Sequence, residues 1–142
     1  MIRRIGAAFI LSLLIAVTFE AAANERPPSV HPQQVTVRLR EYRFEPDQIT
    51  LKAGQETELI LVNEGSVLHE FITEVLQNLT VNVEVNGVVA ETLGLAELEI
   101  PPKEKVVLRF TTEKSGEFPI FCRAIAPKDH YKAGMVGRLV IR

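Results

Sequence analysis

The chain has 142 residues, a formal net charge of −2 at pH 7 and one cysteine. This length suffices for one domain with its own core, and the small net charge without a Lys/Arg-rich run argues against a nucleic-acid partner. A lone cysteine cannot form an internal disulfide. It is therefore a free thiol, half of an intermolecular bridge or a metal ligand.

The first 23 residues have the pattern of a secretory signal peptide. Arg3 and Arg4 precede an almost wholly apolar stretch over residues 5–19, and three alanines at 21–23 offer a cleavage site. The stretch is shorter than the roughly 20 residues that a membrane-spanning helix needs, and an uncleaved anchor is the alternative. We therefore expect a periplasmic or secreted protein that begins at Asn24 and has no membrane segment after cleavage.

The mature chain is predicted to open with a leader and continue as one domain. Residues 24–34 contain three prolines, which favour a flexible, irregular segment. From Val35 to Arg40 apolar and polar residues alternate, which predicts a half-buried strand. The predicted domain therefore covers residues 35–142.

Short apolar segments separated by turns continue along the domain. Pro46 and Gly54 lie in the first two predicted turns, and Asn86-Gly87 joins two alternating segments as a tight hairpin. Residues 91–99 are compatible with a short helix or an irregular crossover. Strands of this length and spacing predict an all-β sandwich or barrel.

The last third of the chain brings three metal-binding residue types close together in sequence. Cys122 ends one predicted strand, His130 follows after seven residues, and Met135 precedes the final strand, so Cys122 and Met135 are expected at facing strand ends. His69 provides a second imidazole upstream. Each residue alone is more often a core or strand-end residue, but two imidazoles, a thiolate and a thioether together suit copper.

Two groups of segments resemble the cupredoxins, the small blue copper proteins. FPIFC at 118–122 and HYKAGMVGRLV at 130–140 are similar to the C-terminal signature of that family, and segments at 42–46, 49–54, 63–65 and 69–71 are similar to its first half. The resemblance implies an all-β, cupredoxin-like Greek-key β-sandwich, with a hairpin or irregular insertion in the middle. It also implies one copper ion, cycling between Cu(II) and Cu(I), with the ligands His69, Cys122, His130 and Met135.

The chain departs from the family pattern at two positions. The seven residues between Cys122 and His130 exceed the usual spacing, which is expected to affect site geometry, colour or docking. Glu70 stands where many members have an asparagine that ties down the ligand loop. A carboxylate there is expected to lower the reduction potential or to recognise a basic partner. Neither departure removes a ligand.

The resemblance implies a one-electron carrier that is not an enzyme. Electrons are expected to pass through the edge of His130, within a small, transient interface with redox proteins, and the protein is expected to be a monomer. The alternative is copper trafficking, storage or resistance with the same ligands, and a metal-free binding domain is a third possibility. Copper-cargo proteins often display methionine or histidine clusters, whereas this chain has two methionines, which favours the carrier.

Overall fold

The computed structural model describes residues 31–142. The predicted signal peptide and most of the predicted leader lie outside it. The prediction of an all-β domain is confirmed. The strands are β1 (Gln33–Arg40), β2 (Arg43–Glu45), β3 (Gln48–Leu51), β4 (Thr57–Asn63), β5 (His69–Phe71), β6 (Thr80–Val85), β7 (Val88–Leu93), β8 (Leu98–Ile100), β9 (Lys105–Phe110), β10 (Gly116–Phe121) and β11 (Val136–Ile141).

The strands form a β-sandwich with long-range connections. One sheet has the order β2-β1-β4-β9-β6-β7, a second has the order β10-β11-β3, and β5 pairs with β8 in a short two-stranded sheet. The β1–β4 and β11–β3 pairs are parallel, and the remaining pairs are antiparallel. Strands that pair in parallel must be linked by a crossover connection. Because β3 pairs with β11, the first half of the chain contacts the last strand.

The alternation of buried and more exposed residues explains why these segments form strands with one face toward the core. In β4 every second residue from Thr57 to Asn63 is buried, which matches the two-residue period of a strand. Residues from both main sheets share one hydrophobic core, including Leu39, Leu61, Leu108 and Leu139. The same core continues to Cys122 and Met135, so the end of the sandwich that carries them is closed to solvent.

The structure shows where β1 begins and confirms one predicted hairpin. β1 begins at Gln33, two residues before the predicted domain boundary, because the Gln33 side chain bonds to the Lys52 carbonyl (2.9 Å) and to Thr57 Oγ1 (2.8 Å). The Asn86-Gly87 hairpin is confirmed, and both residues have positive φ (51° and 80°).

Residues 91–99 are neither a helix nor a wholly irregular crossover. β7 extends to Leu93 because it pairs with β6 as far as the Thr80–Leu93 pair, and β8 begins at Leu98, where it pairs with β5. A 3-10 helix over Glu74–Asn78, which the sequence pattern did not predict, connects β5 to β6. No helix within residues 31–142 is long and apolar enough to cross a membrane.

Candidate metal centre

Three side chains with metal-binding atoms converge inside one end of the sandwich. His69, Cys122 and His130 each have 0% exposed surface, and one donor atom of each lies within 4.8 Å of the other two. The Nδ1 atoms of His69 and His130 are 3.2 Å apart, and Cys122 Sγ is 3.2 Å from His130 Nδ1. Two imidazole nitrogens and one sulfur therefore face a common point in a buried environment.

The pairing of β10 with β11 places the C-terminal part of this site. The last pair of the ladder joins Phe121 to Val136, so Cys122 and Met135 are adjacent just beyond it, as the sequence predicted. The Cys122 N–H donates to the Met135 carbonyl (3.2 Å), and the Met135 N–H donates to the His130 carbonyl (3.0 Å). Met135 is fully buried beside the convergent donors.

A backbone carbonyl fixes the orientation of the His130 ring. Its Nε2 lies 3.1 Å from the Ala126 carbonyl oxygen. Because a carbonyl only accepts, Nε2 carries the proton and Nδ1 keeps its lone pair toward His69 and Cys122. Such a contact from the outer nitrogen is how proteins orient a metal-binding histidine.

The turn between β4 and β5 holds His69 in place. Asn63 Nδ2 donates to the carbonyls of Val67 and Ile100, both at 2.8 Å, and Asn63 Oδ1 accepts from the Gly65 N–H at 2.9 Å. A side chain at Gly65 would meet His69, because an added Cβ would lie 3.0 Å from His69 Nε2. The turn is therefore packed directly against the imidazole.

Glu41 forms hydrogen bonds with the same turn. Its carboxylate accepts hydrogen bonds from the Ser66 N–H and from Ser66 Oγ. Sequence reasoning missed Glu41, because its contact with Ser66 spans 25 positions and follows no periodicity. For Asn63 the only available signal was its place in the short Asn63-Glu64-Gly65 turn before His69.

Burial favours the neutral forms of His69 and Cys122 in the absence of a metal. It lowers the pKa of His69 to about 4, helped by the neighbouring His130, and Glu41 partly opposes this shift. Burial also raises the pKa of the Cys122 thiol, although the Glu70 N–H partly offsets the effect. A metal ion that binds here must therefore displace the thiol proton.

The donor atoms fit a soft transition-metal ion. Within residues 31–142, His69 Nε2 is buried and has no hydrogen-bond partner, whereas His69 Nδ1 faces His130 Nδ1 and is the nitrogen positioned to bind a metal. Sulfur and imidazole donors suit copper, whereas calcium and magnesium require oxygen ligands.

The comparison with protein families agrees with this geometry. The sequence pattern of the Cupredoxin-like domain matches residues 7–140. The chain belongs to the cupredoxin-like domain family.

Two relatives of this cupredoxin have names that refer to copper. The copper-resistant cuproprotein CopI of Rubrivivax gelatinosus is 28% identical over 124 residues, which cover 82% of this chain and 72% of that protein. CopI of Pseudomonas aeruginosa is 24% identical, and the match covers 92% of this chain and 93% of that protein.

Solved structures share the fold. Auracyanin B superposes with a TM-score of 0.55 at 22% identity, covering 78% of this chain and 88% of that one. A multicopper oxidase from Campylobacter jejuni superposes with a TM-score of 0.57 at 16% identity, covering 82% of this chain but only 31% of the oxidase. Because the fold also occurs within an oxidase, the expectation that this cupredoxin is not an enzyme stays a prediction.

Glu70 forms hydrogen bonds at two points with residues 122–123, here called the cysteine loop. Its N–H donates to Cys122 Sγ at 3.2 Å, and its carboxylate accepts from the Arg123 N–H at 2.8 Å. Only 8% of its surface is exposed. The carboxylate therefore lies beside the candidate ligands and connects β5 to the segment after β10.

The segment between Cys122 and His130 passes over the second imidazole. Ile125 in this segment is 78% exposed, but His130 itself is 0% exposed. The imidazole edge that the resemblance implied as an electron route is therefore not on the surface. Nearby, Phe121, Tyr131 and Val136 contribute to an open, mostly apolar groove of about 670 Å³.

Proposed function

We propose that this cupredoxin would hold one copper ion through His69, Cys122, His130 and, more weakly, Met135, and that it acts as a one-electron carrier. The convergence of three buried donor atoms within 4.8 Å supports this proposal most strongly. Copper bound there would supply a one-electron couple between Cu(II) and Cu(I).

Each residue has a distinct role in this proposal. Cys122 gives up its proton and supplies a thiolate, which the Glu70 N–H stabilises by a hydrogen bond at 3.2 Å. His130 offers Nδ1 because the Ala126 carbonyl takes its Nε2 proton. The paired ends of β10 and β11 fix the spacing of Cys122 and Met135, which limits the rearrangement that a change of oxidation state requires.

We also propose that the protein works outside the cytoplasm and meets its redox partners near His130. The signal-peptide pattern in residues 1–23 supports export. The apolar groove supports the position of the interface, since Phe121, Tyr131 and Val136 are each adjacent in sequence to a proposed ligand. A small apolar contact is typical of transient redox complexes.

Copper resistance or trafficking is the second candidate function. Two observations favour it: the names of the relatives, and the complete burial of His130, which hinders direct contact with a redox partner. The proposed ligands are the same in both functions. The two differ in whether the protein keeps its copper ion after reduction.

Copper addition to residues 24–142 tests the proposed site. With one equivalent of Cu(II), we expect intense visible absorption from sulfur-to-copper charge transfer and a narrow copper hyperfine splitting in the electron paramagnetic resonance spectrum. Cys122→Ser is the control, because the chain has one cysteine and the variant should lose the colour. A pale wild-type spectrum, or a coloured Cys122→Ser variant, would contradict the proposed ligands.

Copper retention separates the two functions. The loaded protein is reduced with ascorbate in the presence of a Cu(I) chelator, and the protein-bound copper is measured over time. An electron carrier should retain its copper and recover the full visible spectrum on reoxidation. Rapid transfer to the chelator would reject the carrier and favour copper trafficking or resistance.

A further inference from the structure

We propose that Tyr42 and Lys128 are positioning residues for His130. In this view they hold residues 124–130, here called the His130 loop, closed over the imidazole, so that a chelator or a partner reaches the ring only when the loop opens. The consequence for copper rests on the proposed function. The closed loop itself can be tested in the metal-free protein.

Two hydrogen bonds connect His130 to other residues of the His130 loop. The His130 N–H donates to the Ala124 carbonyl at 2.9 Å, and the ring Nε2 donates to the Ala126 carbonyl at 3.1 Å. The Ala126 carbonyl therefore lies against the outer nitrogen of the ring. This explains how His130 is fully buried although its neighbours Ala126 and Lys128 are exposed.

Tyr42 supports the imidazole from the turn between β1 and β2. Its ring centroid lies 5.0 Å from that of His130, with the ring planes at 72°, an edge-to-face contact. The Tyr42 backbone has φ of 68°, in the left-handed region that residues other than glycine rarely adopt. A strained backbone retained at one residue points to a role for the side chain that it places.

Lys128 connects the exposed part of the loop to Tyr42. Its Nζ lies 3.8 Å from the centroid of the Tyr42 ring, a cation–π contact. Lys128, Tyr42 and His130 therefore form a continuous series of contacts from the loop to the proposed ligand. Loss of the Lys128 contact should raise the population of the open loop about two- to fivefold, as expected for a cation–π contact near the surface.

Chemical modification of His130 by diethyl pyrocarbonate measures this opening without any metal. We compare the rates for wild type, Lys128→Ala and Lys114→Ala by mass spectrometry of the peptides. Lys114 is the control, because it is an exposed lysine between β9 and β10, outside the His130 loop. We expect a two- to fivefold faster reaction at His130 in Lys128→Ala, and no change in Lys114→Ala.

A second pair of variants tests the aromatic contact. Tyr42→Phe keeps the ring and should react at the wild-type rate, whereas Tyr42→Leu removes it and should react faster. His69 is the internal reference, since it is equally buried and its ring contacts that of His130, but it belongs to β5 and not to the His130 loop. Equal acceleration at both histidines would indicate general destabilisation and would overturn the proposal.

The copper-loaded protein gives the functional readout. Lys128→Ala should release Cu(I) to a chelator two- to fivefold faster than wild type, with the visible spectrum of the Cu(II) form unchanged. An unchanged modification rate of His130 in Lys128→Ala would overturn the proposed closure. If copper fails to bind, the proposed function fails, but the modification rates still decide whether the loop is closed.

Discussion

The Glu70 N–H donates to Cys122 Sγ at 3.2 Å, which joins the second residue of β5 to the residue that follows β10. The Glu70 carboxylate bonds to the next amide, that of Arg123, at 2.8 Å. One residue therefore both stabilises negative charge on the sulfur and holds the cysteine loop. In a buried setting such hydrogen bonds are strong, and their loss is costly.

Two substitutions of Glu70 should distinguish the effect of its charge from the effect of its hydrogen bond to Arg123. Glu70→Gln keeps an acceptor for the Arg123 N–H but removes a negative charge beside the site, so the reduction potential should rise with little loss of stability. Glu70→Ala removes the acceptor and should lower the free energy of unfolding by about 1–3 kcal/mol. Voltammetry and urea denaturation measure the two effects.

Glu99→Gln is the matched control for this charge. Glu99 lies in the same acidic group as Glu70 but is exposed, so solvent screens it and the potential should change less. Equal shifts in Glu70→Gln and Glu99→Gln would mean that the position of Glu70 at the cysteine loop has no special effect.

Met135→Leu should keep a coloured copper site and raise its reduction potential. Leucine has a similar volume and suits the fully buried position, so the free energy of unfolding should change by less than about 1.5 kcal/mol. The potential rises because a weak sulfur donor that favours Cu(II) is lost. Voltammetry measures it, and an unchanged potential would show that Met135 is not a copper ligand.

Gly65→Ala should disturb His69 specifically. The added Cβ would lie 2.8 Å from Glu41 Oε1, 3.0 Å from His69 Nε2 and 3.1 Å from Asn63 Oδ1. Relief of these contacts displaces the imidazole and should cost about 1–3 kcal/mol of stability. We expect an altered Cu(II) resonance spectrum. Ser66→Ala, one residue along the same turn, should leave that spectrum unchanged, and a normal spectrum in Gly65→Ala would contradict the contact.

Glu41 should stabilise the fold in a pH-dependent manner. Its hydrogen bonds from Ser66 lower its pKa from 4.5 to about 2. As the pH falls below 4.5 the unfolded chain takes up the proton first, so the stabilisation is present above pH 4.5 and is lost toward pH 2. Glu41→Gln should be less stable than wild type at neutral pH by about 1 kcal/mol, a value reduced by solvent screening.

Urea denaturation over a pH series checks this expectation. The stability difference between wild type and Glu41→Gln should shrink as the pH falls from 4.5 toward 2. A double-mutant cycle with Ser66→Ala measures the coupling between the two side chains. A stability difference that is independent of pH would show that the Glu41 charge contributes nothing.

The sequence by itself determined the fold class and most of the candidate site. Alternating apolar residues predicted the strands of the main sheets, because a two-residue period is a local property of the chain. The spacing of Cys122 and Met135 predicted their meeting at facing strand ends, since both are adjacent to strands with clear patterns. His69 and His130 followed from residue chemistry and from the resemblance to cupredoxins.

Only the tertiary structure decided how the site is closed and supported. The contacts of Glu70 with Cys122, of Glu41 with Ser66 and of Tyr42 with His130 join residues 25 or more positions apart, and no local period encodes them. The sequence also implied an accessible His130 edge, whereas folding of the loop over the ring buries it. Local pattern determines which segments become strands, but contacts between distant segments determine which atoms of the site reach solvent.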